Sequence, residues 1–116
     1  MPVEPRDVYE LGNAISTAYN TEAAKRSAVS RIYYSVFLSV RQRFPVSSRT
    51  RQVHMDVRAA LAKATKRQTG DQFGDLMDLR NEADYDIHTD GWDSKLLRAK
   101  RLADHINAEL FRRFGS

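Results

Sequence analysis

The segment from Glu22 to Phe44 constrains this chain more than any other, because its middle is apolar on nearly every side. Val29, Ile32, Tyr33, Val36, Phe37, Leu38 and Val40 leave no continuous polar face on a helix. A helix of that kind belongs at the centre of a bundle, covered by others. Its roughly 23 residues make a rod of about 35 Å, which Pro45 ends by breaking the hydrogen-bond ladder. Elsewhere apolar residues recur at spacings of three and four, and no run alternates with period two. The pattern predicts helices over Glu4–Tyr19, Glu22–Phe44, Thr50–Lys66, Gln72–Asp86 and Asp93–Phe114. Asn20 and Thr21 offer a cap for the second, while PVSSRT, RQTGD and TDGW read as breaks. The expected stripes are Val8, Leu11, Ile15, Ala18 on the first helix and Val53, Val57, Leu61, Ala64 on the third. On the fifth they are Leu96, Leu97, Ala103, Ile106, Leu110 and Phe114. Short connections between long helices favour antiparallel neighbours. The expected fold is an all-α, antiparallel up-and-down bundle of four to five helices, a single domain over 1–116.

At 116 residues, 41% hydrophobic and 29% charged, the chain has the composition of one globular domain. It contains no cysteine, so disulfides, thiolate nucleophiles and cysteine metal sites drop out. The start, MPVEPRDVYE, has no apolar run behind a basic segment and does not read as a signal peptide. No apolar stretch is long enough to span a bilayer. The expectation is a soluble, cytoplasmic protein without a membrane partner.

The net charge of +4 is unevenly spread. Residues 41–67 hold eight basic groups and the single acid Asp56, whereas residues 68–93 hold eight acids and only Arg80. Two readings stand. Neighbouring helices of opposite sign attract and set the order of the bundle, or the basic segment forms a face for RNA phosphates.

The fourth helix carries the most unusual residue. Phe73, Leu76, Arg80, Ala83 and Ile87 fall on one apolar stripe, so a permanent cation lies in an apolar row. It is either half of an ion pair with a carboxylate such as Asp84, or an arginine held to grip a phosphate bidentately. Asp78, Asn81, Tyr85 and His88 line a second stripe. In an unbroken helix His88 would sit about 12 Å along the axis from Arg80, too far to share one phosphate within a chain. Histidine is nonetheless the natural acid–base group near neutral pH. Tyr33 and Tyr34 read as central-helix aromatics whose hydroxyls find partners. Arg31 is a surface residue or a neighbour of Asp84. His54 reads as a capping or surface residue. The histidines at 54, 88 and 105 lack ligand spacing, so no metal is expected. No phosphate-binding glycine loop and no GxSxG motif occur.

The order RIYYSVF (Arg31–Phe37), HMDVRAAL (His54–Leu61) and LRNEADYD (Leu79–Asp86) resembles the small stand-alone HEPN proteins of prokaryotes. That resemblance covers residues 8 to 110. It implies a two-fold dimer, with the arginine helix at or near the interface. Many HEPN domains are metal-independent endoribonucleases of toxin–antitoxin, anti-phage or RNA-processing systems. Their motif is an arginine, usually followed by a polar residue, with a histidine four to six residues further on. Arg80 and Asn81 match its first half, while seven residues separate Arg80 from His88. By resemblance Arg80 and His88 are the catalytic pair, with Asn81, Asp84, Tyr85, Arg31 and Tyr34 in support. Arg49, Arg51 and Arg58 are the expected RNA contacts. The reaction implied is attack of a ribose 2′-hydroxyl on the adjacent phosphate, with no cofactor. Other HEPN domains are catalytically silent and pair with a small nucleotidyltransferase, which in related toxins attaches nucleotide to a tyrosine near the motif. Tyr85 holds that position here.

Overall fold

The helix over Glu22–Arg43, α2, is the axis on which the structure is built, with α1 (Pro5–Ala18) before it. Both belong to a computed structural model that describes residues 4–115. Met1–Val3, the first part of the start that does not read as a signal peptide, and Ser116 lie outside the described residues. Three further helices follow, α3 (Gln52–Ala64), α4 (Arg67–Tyr85) and α5 (Trp92–Phe114). Each of the other four helices packs against α2, and α4 lies between α3 and α5. Among the described residues there is no strand, and no helix is long and apolar enough to cross a membrane.

The all-round apolar character of α2 is explained by this position. Ala28, Val29, Ile32, Tyr33, Val36 and Val40 are fully enclosed, and one hydrophobic cluster runs from them into α3, α4 and α5. Thr21 caps the helix as expected, its hydroxyl accepting from the Ala24 N–H at 3.1 Å. Phe44 closes the other end, just before Pro45.

Two expected stripes shift. On α1, Leu11 is exposed, and Gly12 faces α2 instead, where a Cβ would lie 3.2 Å from the Ala28 carbonyl. On α5, Leu97 and Phe114 are exposed, and Ala99 and Leu102 complete the buried face.

The largest correction concerns α4, which starts at Arg67 rather than Gln72. RQTGD is helix, not a turn. Gly70 has helical geometry here and serves packing, since a Cβ on it would lie 2.6 Å from the Ala62 Cβ of α3. Gly74, one turn on, leaves room for the Arg58 guanidinium. At its other end α4 stops at Tyr85, so Ile87 leaves the apolar stripe and is exposed.

Opposite charges do meet across the helix seams. Arg58 pairs with Asp71 across α3 and α4 at 3.3 Å, and Lys95 with Glu82 across α5 and α4 at 3.0 Å. Arg98 meets Asp75 at 3.3 Å, and Lys25 meets Asp93 at 2.6 Å. Much of the acidity of α4 is thereby answered by its neighbours.

Candidate functional site

A surface cavity of about 780 Å³ opens where the first turn of α3 meets the C-terminal half of α4. Arg80, Asn81 and Tyr85 line it from α4, and His54 and Met55 from α3. Arg49 and Arg51 line it from the loop that follows α2. The positive end of the α3 dipole adds to these cations, so the cavity is suited to an anion.

Arg80 occupies the apolar row because its charge is met at the edge of that row. Its Nε lies 2.9 Å from Asp84 Oδ2, with both side chains about three-quarters covered at 25% and 28% exposure. Ser30 of α2 donates to the same carboxylate oxygen at 3.3 Å. Nη1 donates to Asn81 Oδ1 at 3.2 Å. Among the described residues Nη2 donates to nothing, which leaves one arm of the fork for a ligand. The guanidinium also stands 5.8 Å from the ring centres of both Tyr33 and Tyr85. The ion-pair reading of Arg80 is therefore correct, and it is compatible with a phosphate grip.

His54 is the residue that spacing missed. Its Nδ1 lies 2.7 Å from the hydroxyl of Tyr33, which is completely buried. The imidazole also packs 4.7 Å from the Phe37 ring and 5.8 Å from the Tyr33 ring. Burial, then the charges of Arg80 and Arg41, lower its pKa, so the ring is neutral at neutral pH. Burial raises the Tyr33 phenol well above its usual range, the nearby Arg80 acting weakly against it. A neutral phenol can donate to Nδ1 or accept from it, so it supports either imidazole tautomer. With Nδ1 occupied by Tyr33, Nε2 is the free nitrogen of a ring that lines the cavity. The signal was present in the sequence: Val53, Val57 and Leu61 fix the buried face of α3, and His54 flanks it in the first turn.

The other expected residues divide. Asn81, Tyr85, Arg49 and Arg51 line the cavity with Arg80. Arg49 and Arg51 are exposed, and neither forms an ion pair among the described residues. Asp84 is paired with Arg80 and is not itself among the cavity residues. Arg58 is tied to Asp71 on the α3–α4 seam. Arg31 does not reach Asp84; it donates to Ser27 Oγ at 2.6 Å. Tyr34 is exposed, stacked 5.6 Å from Phe37 rather than in the cavity. His88 sits in the turn after α4, exposed, and is not among the cavity residues. That turn is tied to α2 by Arg26, which donates to the carbonyls of Asp86 (2.7 Å) and Thr89 (2.9 Å).

Among the described residues no three His, Asp or Glu side chains gather in a set that could hold a metal ion. Comparisons with protein-family models, curated proteins and solved structures find no match.

Proposed function

We propose that this chain is an RNA-directed protein of the HEPN kind, cleaving RNA without a metal at the Arg80 cavity. The observation that carries the reading is the convergence of Arg80, Arg49 and Arg51 on one cavity beside a neutral histidine. Arginines suit phosphate because their planar fork matches its oxygens and their charge is permanent. In the proposed reaction the ribose 2′-hydroxyl attacks the adjacent phosphorus, and Arg80 stabilises the charge that develops on the phosphoryl oxygens. The products are a 2′,3′-cyclic phosphate and a 5′-hydroxyl. The pairing of Asp71, Asp75 and Glu82 with α3 and α5 lessens the repulsion of α4 against RNA. A two-fold dimer of antiparallel up-and-down bundles, working in a toxin–antitoxin, anti-phage or RNA-processing system, belongs to the same proposal.

The deciding experiment is cleavage of total RNA by the purified protein in EDTA, beside Arg80→Ala. Cleavage by the wild type alone, with the variant folded, supports the reading.

A second reading is favoured by the place of His88, outside the cavity in the turn after α4. It is a silent HEPN module that binds a nucleotidyltransferase or a nucleotide. Absence of EDTA-resistant cleavage, with nucleotide binding that Arg80→Ala abolishes, would select it.

A further inference from the structure

The reaction proposed above needs a group to take the proton of the 2′-hydroxyl, and the helix that carries Arg80 offers no histidine in the cavity. His88 lies beyond the end of α4, in a turn tied to Arg26. His105 lines a separate depression between α4 and α5, beside Glu109. His54 alone of the three shares a cavity with Arg80.

We propose that His54 of α3 is the proton acceptor of the Arg80 cavity and that Tyr33 of α2 is its positioning residue. This rests on the RNA-cleavage reading. Three geometric facts carry it: the shared cavity, the 2.7 Å contact between Nδ1 and the Tyr33 hydroxyl, and the packing of the ring on Phe37. Together they fix the imidazole plane and leave Nε2 as the free nitrogen. In the reacting tautomer Nδ1–H donates to Tyr33 Oη, and the Nε2 lone pair accepts the 2′-hydroxyl proton. The O2′–P bond forms as the P–O5′ bond breaks. The 5′-oxygen leaves with that electron pair and takes a proton from water, and the imidazolium returns its proton to solvent. Tyr33 keeps its own proton throughout. The imidazolium is faced by Arg80 from α4, by Arg41 and Tyr33 from α2, and by Arg49 and Arg51 from the preceding loop. Those cations keep the ring unprotonated between turnovers, which a base requires.

The test is the pH–rate profile of RNA cleavage in EDTA for wild type, His54→Gln, Tyr33→Phe and His88→Gln, with RNA affinity measured by fluorescence anisotropy. His54→Gln loses cleavage by about 10²-fold or more while binding RNA, and His88→Gln stays near wild type. Tyr33→Phe slows the reaction at unchanged RNA affinity. It also moves the acid limb to lower pH, because the imidazolium loses its acceptor at Nδ1. Cleavage by His54→Gln within a few-fold of wild type overturns the assignment and leaves the RNase reading standing. If His54→Gln fails to fold, the wild type decides. The acid limb must coincide with the titration of the His54 ring followed by NMR, and a mismatch overturns the proposal. Absence of cleavage in the wild type overturns this assignment and the RNA-cleavage reading together.

Discussion

The Tyr33 hydroxyl and His54 Nδ1 meet at 2.7 Å, joining the buried middle of α2 to the first turn of α3. The contact gives a fully enclosed phenol its hydrogen-bond partner, which a buried polar group needs. It also makes the fold sensitive to the state of the imidazole. Burial and the charges of Arg80 and Arg41 hold the His54 pKa below its usual value. The unfolded chain accepts that proton near pH 6.5, while the native state resists it. The resulting stability is full above that pH and is lost as pH falls through the folded value. Between pH 7.5 and pH 5 the urea midpoint of the wild type should therefore drop more than that of His54→Gln. Equal drops would mean that His54 titrates alike in both states.

Arg80→Met separates the ion pair of the arginine from its proposed grip on phosphate. The Arg80–Asp84 pair is partly solvated, and such pairs contribute about 1 kcal/mol or less. Asp84 keeps its bond from Ser30 when the cation is gone. Stability measured in urea should change by no more than about 1 kcal/mol, while RNA affinity and cleavage fall. A variant that binds RNA like the wild type would reduce Arg80 to a structural ion pair.

Arg49 and Arg51 predict the salt dependence. Both are exposed at the cavity and free of ion pairs among the described residues. Replacing both with alanine should lower the slope of log affinity against log salt by about 1 to 2. The same change at Arg58, which is held by Asp71, should alter it less.

How far the sequence could be read depends on how local each feature is. The helices, the central place of α2, the Thr21 cap and the stop at Phe44 follow from spacing and propensity within one segment. Arg80 in the apolar row is equally local. The start of α4 was hidden because RQTGD has the composition of a turn, and only the proximity of Ala62 gives Gly70 its purpose. The partnership of residues 33, 54 and 80 depends on how three helices dock. Periodicity along one helix carries no information on that. His88 drew attention by lying on the same segment as Arg80, although rise per residue alone already set it too far along.

The α3–α4 approach can be tested at Gly70. A methyl there would lie 2.6 Å from the Ala62 Cβ, and both atoms are fixed to backbone. Overpacking costs about 1–3 kcal/mol, against a helix-propensity gain of about 1 kcal/mol for Gly→Ala. Gly70→Ala should be destabilising by up to about 2 kcal/mol. Adding Ala62→Gly should recover part of the loss in a double-mutant cycle. Simple additivity would show that the two helices relax apart instead.

Arg26 is a structural counterpart to Arg80, an arginine whose work is to end a helix. Its guanidinium donates to the carbonyls of Glu82 and Ala83 at 3.3 Å and to those of Asp86 and Thr89 at 2.7 and 2.9 Å. It lies 4.6 Å from the centre of the Trp92 ring, whose Nε1–H donates to the Thr89 carbonyl at 3.1 Å. Carbonyls at a helix C-terminus have no partners within the helix, and a cation there also answers the dipole. Arg26→Ala leaves the Ala83 carbonyl without its donor, while Glu82, Asp86 and Thr89 keep bonds from the Asp86 N–H, the Thr89 hydroxyl and Trp92, and it should cost about 1–3 kcal/mol in urea denaturation. Arg26→Lys should recover little, because a lysine cannot fork across carbonyls from two turns of chain. Amide exchange at residues 86–92 should accelerate in both variants ahead of exchange in α2. If those amides keep their wild-type protection, the turn after α4 is held by its own Asp86–His88 and Thr89–Asp86 bonds and by Trp92, and the place of His88 does not depend on Arg26.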